Sequence, residues 1–505
     1  MLFNSLEFMF VFLPIAVSLH FFAARQSVVL ATAVTAGMSL LFYAWWKPTF
    51  LLLPVVSIVF NFLLAMSIIR TKRRNARLLL TLGIAANLVV LVYFKYFDFF
   101  LSILENRAPG APNVPLALSF TTFVQIAFLV EAYRKAPTVQ FPAYALFVSF
   151  FPHLIAGPIV RWNELGPQLA DKDRYRPNWE NIARGLTIFC LGLAKKVLIA
   201  DKLAGFVAPV FDAASVEAPI TFAAAWGASI AYSLQLYFDF SGYSDMAVGL
   251  GLLFNLRLPI NFAAPFRSTS IIDLWRRWHI SLSRFLRDFV YVPLGGNERG
   301  PIKRSLNLII TMVVGGFWHG ANWTFICWGA FHGILLTLNH LWRSFRGARQ
   351  SSAAGKLVGW FMTFAAFAVG MAMFRANDIG GAGRMLAAMA GMTHGPESPP
   401  IMVEFDSWAI RSGYFTDAFV RRWLGSYWSV VGSLATLLAL AIALAIPDTM
   451  ELVQYDEGGP RSKWRRAWNS LRWSPSLAWG VTVLVLFAIA FANMSTFTEF
   501  LYYQF

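Results

Sequence analysis

Apolar runs approaching or reaching the length of a membrane crossing recur along this whole chain. They leave few folds open to it. A bilayer core is about 30 Å thick, so a spanning helix needs roughly 17–25 mostly apolar residues. Such runs fall at residues 8–24, 28–46, 50–69, 78–97, 116–133, 182–199 and 220–238, then at 306–317, 324–341, 358–374, 430–445 and 477–491. Lipid tails offer no hydrogen bonds, so only helices and closed barrels can span them with a satisfied backbone. The sequence therefore predicts an all-α polytopic membrane protein of about twelve spans. Only 13% of its residues are charged, against about 25% in soluble domains.

The net charge of +16 would suggest a nucleic-acid partner in a soluble protein, but no nucleic-acid-reading motif accompanies it. In polytopic chains Lys and Arg gather in cytoplasmic loops. The basic stretches 70–77, 134–135, 161–176, 276–304, 343–356 and 461–472 all fall on one side of the expected helices. Both termini, the loop 105–115 and the segment of about 375–427 are then expected on the opposite, periplasmic side. Residues 1–10 lack a basic leader, and the first cation, Arg25, follows the first apolar run, so that run reads as an uncleaved helix. Aromatic clusters at 42–46 and 93–100 fit interfacial belts. Cys190 and Cys327 lie in apolar stretches, which argues against a disulfide framework or a thiolate metal site.

Two stretches are too short or too broken for ordinary spans. Residues 144–160 contain Pro152-His153 and Gly157-Pro158, and residues 242–254 contain several glycines. Irregular backbone at membrane depth persists only where protein or a water-filled cavity satisfies it. Both are expected to be re-entrant segments lining a site.

Within 270–296, a helical wheel puts Trp275, Trp278, Leu282, Phe285, Leu286 and Phe289 in one sector, with Arg276, Arg277, Arg284 and Arg287 opposite. An amphipathic helix facing the headgroups accounts for the arginines, but not for His279, which falls in the apolar sector. His319 stands at the end of an apolar run, in Gly315-Gly316-Phe317-Trp318-His319-Gly320-Ala321-Asn322-Trp323. Ionisable residues there usually face a bundle interior or a cavity, and flanking glycines permit close approach of a ligand or backbone. A hydrogen-bonded structural histidine is the competing reading. Two inward imidazoles suit acyl transfer, since a base titrating near neutrality can take a proton from an attacking hydroxyl and return one to a leaving thiol. Asn322 and the indole N–H of Trp318 or Trp323 are candidate oxyanion donors. His319, His332 and His340 do not form a His-Glu-x-x-His metal pattern, and no metal is expected.

In Gln235 to Asp245, Asp239 reads as orienting a histidine or substrate, because a carboxylate at membrane depth needs a partner, whereas Ser244-Asp245 reads as a helix cap. His153 either lines the donor path or is a satisfied structural histidine; His20, His340 and His394 read as structural. The aromatic tail Phe500-Leu501-Tyr502-Tyr503-Gln504-Phe505 either anchors the last span at the interface or folds back into the site and offers a tyrosine hydroxyl as an acyl relay.

Four motifs, taken in order, resemble the membrane-bound O-acyltransferase family, and specifically its bacterial alginate O-acetyltransferase branch. They are Phe151-Pro152-His153-Leu154-Ile155-Ala156-Gly157-Pro158, Tyr237 through Asp245, Trp275-Arg276-Arg277-Trp278-His279-Ile280-Ser281-Leu282-Ser283, and Trp318-His319-Gly320. The stretch 379–419 is the least family-like. The resemblance implies one integral-membrane domain over 1–505, with N-terminal helices 1–140, a catalytic core 141–345 and C-terminal helices 346–505. It implies a ring of helices around a funnel, with His319 where donor and acceptor meet, His279 in support and Tyr502 as the matching relay position.

It further implies acetyl-CoA as cytoplasmic donor, an exported polysaccharide hydroxyl as acceptor and residence in a bacterial inner membrane among its lipids. The implied partners are a periplasmic serine-hydrolase-like acetyltransferase and polysaccharide export machinery. The basic stretch with Arg276 and Arg277 would attract the CoA phosphates electrostatically. A transporter or flippase, or a transferase acting on a lipid, peptidoglycan or protein hydroxyl, remain the alternative readings of the sequence.

Overall fold

In a computed structural model, residues 1–105, 107, 114–155, 157–298, 300–347, 352–392, 425–455, 471–494 and 501 are described. Every regular element among them is helical. The N-terminal helices are α1 (Leu13–Ala24), α2 (Val28–Trp46), α3 (Leu52–Arg70), α4 (Arg73–Leu91), α5 (Phe97–Leu104) and α6 (Leu118–Lys135). The middle of the chain forms α7 (Phe141–Ser149), α8 (Phe151–Leu154), α9 (Trp162–Ala170), α10 (Trp179–Ala194), α11 (Asp201–Ser215) and α12 (Phe222–Leu253). Then follow α13 (Ile271–Arg277), α14 (Ile280–Leu286), α15 (Gly300–His319), α16 (Trp323–Arg346), α17 (Ala353–Arg375) and α18 (Ile379–Met389). The last are α19 (Gly425–Ala445), α20 (Thr449–Leu452) and α21 (Leu477–Ala492). Side-chain caps start many of them: Ser27, Asn178, Thr221, Ser352 and Ser476 each accept the backbone N–H three residues on, satisfying a donor that the first helical turn leaves open.

Six helical stretches among the described residues are long and apolar enough to cross a membrane: Glu7–Ala24, Val28–Trp45, Pro48–Arg70, Arg73–Leu104, Ala353–Arg375 and Gly432–Leu452. Large apolar side chains on their outer faces, such as Leu52, Leu63, Val89 and Phe361, are exposed as lipid-facing residues would be. The protein is a multi-pass membrane protein. The remaining sequence runs also fold as helices, but more polar or shorter ones, several of them packed inside the bundle.

The helix α12 is the clearest case, and it corrects one expectation. Residues 242–254 do not form a re-entrant segment. They continue a helix of 32 residues that is buried from Ala231 to its end. The glycines that suggested a break serve close packing instead. A Cβ on Gly242 would stand 2.6 Å from the carbonyl oxygen of Gly192, and one on Gly249 would stand 2.5 Å from that of Gly185, so α12 and α10 touch backbone to backbone. Small residues at such contacts are how membrane helices gain dispersion contacts when water exclusion offers little. Ser244-Asp245 consequently caps nothing; it lies in mid-helix.

A second correction concerns 270–296. This is not one amphipathic helix. The chain breaks between α13 and α14, where His279 takes a left-handed backbone with φ +43°. The cause is tertiary: the non-helical chain at 255–264 runs alongside, and Ala263 N–H donates to Arg277 O at 3.1 Å while Ile280 N–H donates to Asn261 O at 2.9 Å. Those bonds replace helical ones, as buried backbone requires. Residues 144–160, by contrast, are broken as expected, into α7 and α8 around Phe150.

Because the α10–α12 contact is backbone on backbone, Gly242→Leu should overpack it at a cost of about 1–3 kcal/mol. The thermal midpoint of the purified protein should fall, whereas the same change at Gly227, whose surroundings are open, should leave it near wild type.

Candidate active site

The site is built on the end of α15. Glycines let α16 fold back tightly on α15: a Cβ on Gly316 would collide with the carbonyl of Phe325, and one on Gly320 with its ring. The last carbonyls of a helix have no partner of their own. Here Lys95 supplies one, its Nζ donating to Trp318 O at 2.6 Å and to His319 O at 3.1 Å. Tyr96 adds its hydroxyl to Phe317 O at 3.0 Å. A basic side chain at a helix C-terminus also answers the partial negative charge there. Lys95 and Tyr96 reach this position from a π-helical turn, Val92–Tyr96, a wide turn that frequently marks functional positions.

So fixed, His319 is 7% exposed. Its ring lies 5.1 Å from that of Phe374, 5.5 Å from Trp328 and 6.5 Å from His279. His279, 1% exposed, packs edge-on to Phe240 of α12 at 4.7 Å. The structure thus brings the two sequence-selected histidines together across different elements.

Both line one cavity of about 330 Å³. Its buried walls include Trp278, Leu282 and Trp328, and its exposed rim carries Arg276, Arg287 and Asn297, with Tyr291 and His340 half-buried between. At the rim, burial opposes ionisation of Asp288, but hydrogen bonds from Arg287 at 2.6 Å and Arg161 at 2.7 Å outweigh it and lower its pKa. The ionised Asp288 ties Arg287 in place. An apolar pocket with two convergent imidazoles and a cationic mouth can admit an anionic carrier and remove a proton at its inner end.

A second cavity of about 260 Å³ lies among the N-terminal helices, lined by Tyr43, Ser57, Asn61 and Asn87. None of the sequence-selected residues borders it.

Residues 40–374 match the family described as MBOAT, membrane-bound O-acyltransferase. The chain belongs to this family. A peptidoglycan O-acetyltransferase of Helicobacter pylori is 42% identical over 426 residues, 78% of this chain and 80% of that protein. A protein named "Probable alginate O-acetylase" in Azotobacter vinelandii is 36% identical over 100% of both chains. A teichoic acid D-alanyltransferase of Streptococcus thermophilus is 32% identical over 45% of this chain and 57% of that protein. The protein is a membrane O-acyltransferase.

The other sequence-selected residues of this acyltransferase are placed as follows. Trp318 is buried beside both histidines, its ring 6.1 Å from His279, whereas Trp323 is 52% exposed and faces Phe99. Both ends of the Asn322 amide are engaged: Oδ1 accepts from Thr324 N–H at 3.1 Å and Nδ2 donates to Asn377 O at 2.8 Å. It caps α16. Arg276 reaches the cavity rim, while Arg277 turns to Asp273 at 3.0 Å and to Ala263 O. His153 is buried and bonded through Nε2 to Phe147 O at 3.1 Å. His332 is buried between Trp275 and Trp328. Asp239 pairs with Lys196 at 2.7 Å and accepts the Leu501 N–H at 3.1 Å; Asp245 pairs with Lys195 at 2.7 Å. Tyr502, which the resemblance implies as a relay, and His394 lie outside the described residues.

Lys95, Lys195 and Lys196 were missed by the motif reading, although each is a lysine inside an apolar run and therefore a flagged position on physical grounds. Lys95→Met should leave the carbonyls at the end of α15 unsatisfied, at about 1–3 kcal/mol per buried group. Acyl transfer should fall at least about tenfold, as such a shift in barrier would give, with a lowered thermal midpoint.

Proposed function

We propose that this membrane O-acyltransferase takes acetyl groups from cytoplasmic acetyl-CoA and passes them across the bacterial inner membrane for O-acetylation of an exported polysaccharide of the alginate type. One observation carries the reading: a single cavity joins a rim bearing Arg276 and Arg287 to the buried pair His279 and His319. Phosphates of an acyl-CoA suit the guanidinium groups, and the thioester suits the histidines. The names of the relatives of high coverage favour the acetyl group over another acyl group. With the basic loops inside, both termini lie in the periplasm.

His319 acts as base. It takes the proton of an attacking hydroxyl, the oxygen bonds to the thioester carbonyl carbon, the carbon–sulfur bond breaks, and the imidazolium returns the proton to the leaving thiolate of CoA. His279 lies beside it in the same pocket and supports its orientation. The hydroxyl is that of Tyr502 if the C-terminal tail serves as relay, and the tyrosine ester then donates the acetyl group onward. A periplasmic serine-hydrolase-like acetyltransferase, working with the export machinery, then completes transfer to the polymer. Membership in a transferase family favours an enzyme over a pure transporter. Peptidoglycan is the second acceptor reading, favoured by the Helicobacter relative.

In a host lacking its own copy, His319→Ala should reduce acetylation of the exported polymer by about 10²–10⁴-fold, the usual worth of a general base, at unchanged protein level in the membrane. Full acetylation by that variant would refute the scheme. Arg276→Ala combined with Arg287→Ala should raise KM for acetyl-CoA several-fold and leave kcat little changed, read from CoA release in inside-out vesicles.

A further inference from the structure

The cavity of about 260 Å³ among α2, α3, α4 and α6 takes no part in the acyl-transfer scheme. It runs from Leu53 and Pro115, at helix ends on the side away from the basic loops, to Asn61 and Asn87. Those two lie near the middles of the crossings Pro48–Arg70 and Arg73–Leu104. From Leu53 to Asn61 a helix rises about 12 Å, close to half of a hydrocarbon core about 30 Å thick. The cavity therefore lies within one leaflet. Its outer edge is formed by Val56 and Phe60, on successive turns of α3 and 55% and 44% exposed. In a membrane-crossing helix such an edge faces lipid, so acyl chains rather than water meet the opening.

The walls are mostly apolar, and an unfilled space forfeits dispersion contacts along them. The amides at the deep end are already answered: Asn61 Nδ2 donates to Asn87 Oδ1 at 3.2 Å, and Asn87 Nδ2 to Asn61 Oδ1 at 2.7 Å. Two hydroxyls differ. Tyr43 is 2% exposed and Thr122 is 3% exposed, and both line the cavity. Neither hydroxyl has a hydrogen-bond partner among the described residues. Nor is either sealed in packing, as the hydroxyls of Tyr144 and Tyr232 are, so each opens on the cavity. Tyr43 stands one turn before the end of α2, and Thr122 one turn after the start of α6. They share a depth just inside the helix ends, where the aromatic cluster 42–46 marks the interface.

We propose that this cavity is a lipid site that takes one chain of a diacyl glycerophospholipid, whose ester carbonyls accept hydrogen bonds from Tyr43 and Thr122. Each hydroxyl carries one donor, and a buried donor left alone is costly. The esters of such a lipid lie where its chains begin, at the depth of the two hydroxyls, and an ester oxygen is an acceptor only. An isoprenoid chain suits the apolar walls but brings no carbonyl. The volume is below the roughly 300–1,000 Å³ of pockets that enclose a whole ligand, so the second chain and the headgroup stay in the leaflet.

Native mass spectrometry of the full-length protein, delipidated in detergent and titrated with phosphatidylethanolamine, tests this. The probes are a diester lipid and its diether analogue, which has the same chain lengths and headgroup but no carbonyls. Wild type should take up its first diester molecule about three- to tenfold more tightly than the diether, as one or two neutral hydrogen bonds give. Tyr43→Phe should weaken the diester toward the diether value and leave the diether unchanged. Ala86→Phe, which puts a ring into the cavity, should weaken both at least about tenfold. Leu63→Phe, on a lipid-facing surface outside the cavity, should bind both as wild type does. Equal affinity of wild type for diester and diether overturns the ester contacts, a result that needs no variant to fold. First-lipid binding by Ala86→Phe as tight as by wild type overturns the cavity as the site. Displacement of the diester by an equimolar isoprenoid alcohol overturns the choice of a glycerophospholipid.

Discussion

The bonds from Lys95 to the last carbonyls of α15 are the contact on which the rest of the site depends. A helix that ends inside a membrane protein leaves carbonyls with no water to meet them. At Trp318 and His319 this problem is solved by a lysine from the N-terminal helices, with Tyr96 closing Phe317. The helix can therefore end with its last carbonyls answered, and its final residue can be a histidine turned into a cavity. Were the carbonyls unanswered, α15 would have to continue or reach the surface, and His319 would not meet His279.

The same rule organises the other buried polar groups. Lysines at one π-helical turn are matched to carboxylates on α12: Lys195 to Asp245 and Lys196 to Asp239, each at 2.7 Å. Farther off, amides replace charges. Asn61 and Asn87 exchange hydrogen bonds of 3.2 and 2.7 Å across α3 and α4, and Gln125 of α6 accepts from Asn61 and Ser57. Interhelical bonds of this kind in membranes are worth about 1–2 kcal/mol at most, so their larger contribution is register. They fix which helix faces meet, and Asn61 and Asn87 also line the N-terminal cavity.

Much of this was legible from residue type alone. The helical class follows from run length, the multi-pass character from composition, and the placing of His319 at a cavity from a histidine flanked by glycines at the end of an apolar run. What local patterns could not convey depends on tertiary contact. The left-handed turn at His279 exists because residues 255–264 take its neighbours' hydrogen bonds, and no wheel drawn for 270–296 contains that information. The glycines of 242–254 read as breakers, but Gly242 and Gly249 are there for the approach of α10; glycine signals closeness and irregularity with the same letter. Asn322 looked like an oxyanion donor because it neighbours the histidine, yet its amide is consumed as a helix cap. Lys95 carried a signal in its charge that only its contact with α15 explains.

In the proposed reaction the acyl donor enters at the arginine rim and ends at His319. A cryo-electron microscopy structure with a non-hydrolysable acetyl-CoA analogue measures it directly. The analogue's acetyl carbonyl carbon should lie within about 4 Å of a His319 ring nitrogen, close to a near-attack distance, with its phosphates against Arg276 and Arg287. An analogue bound in the cavity beside Asn61 and Asn87, with the histidine cavity empty, would contradict it.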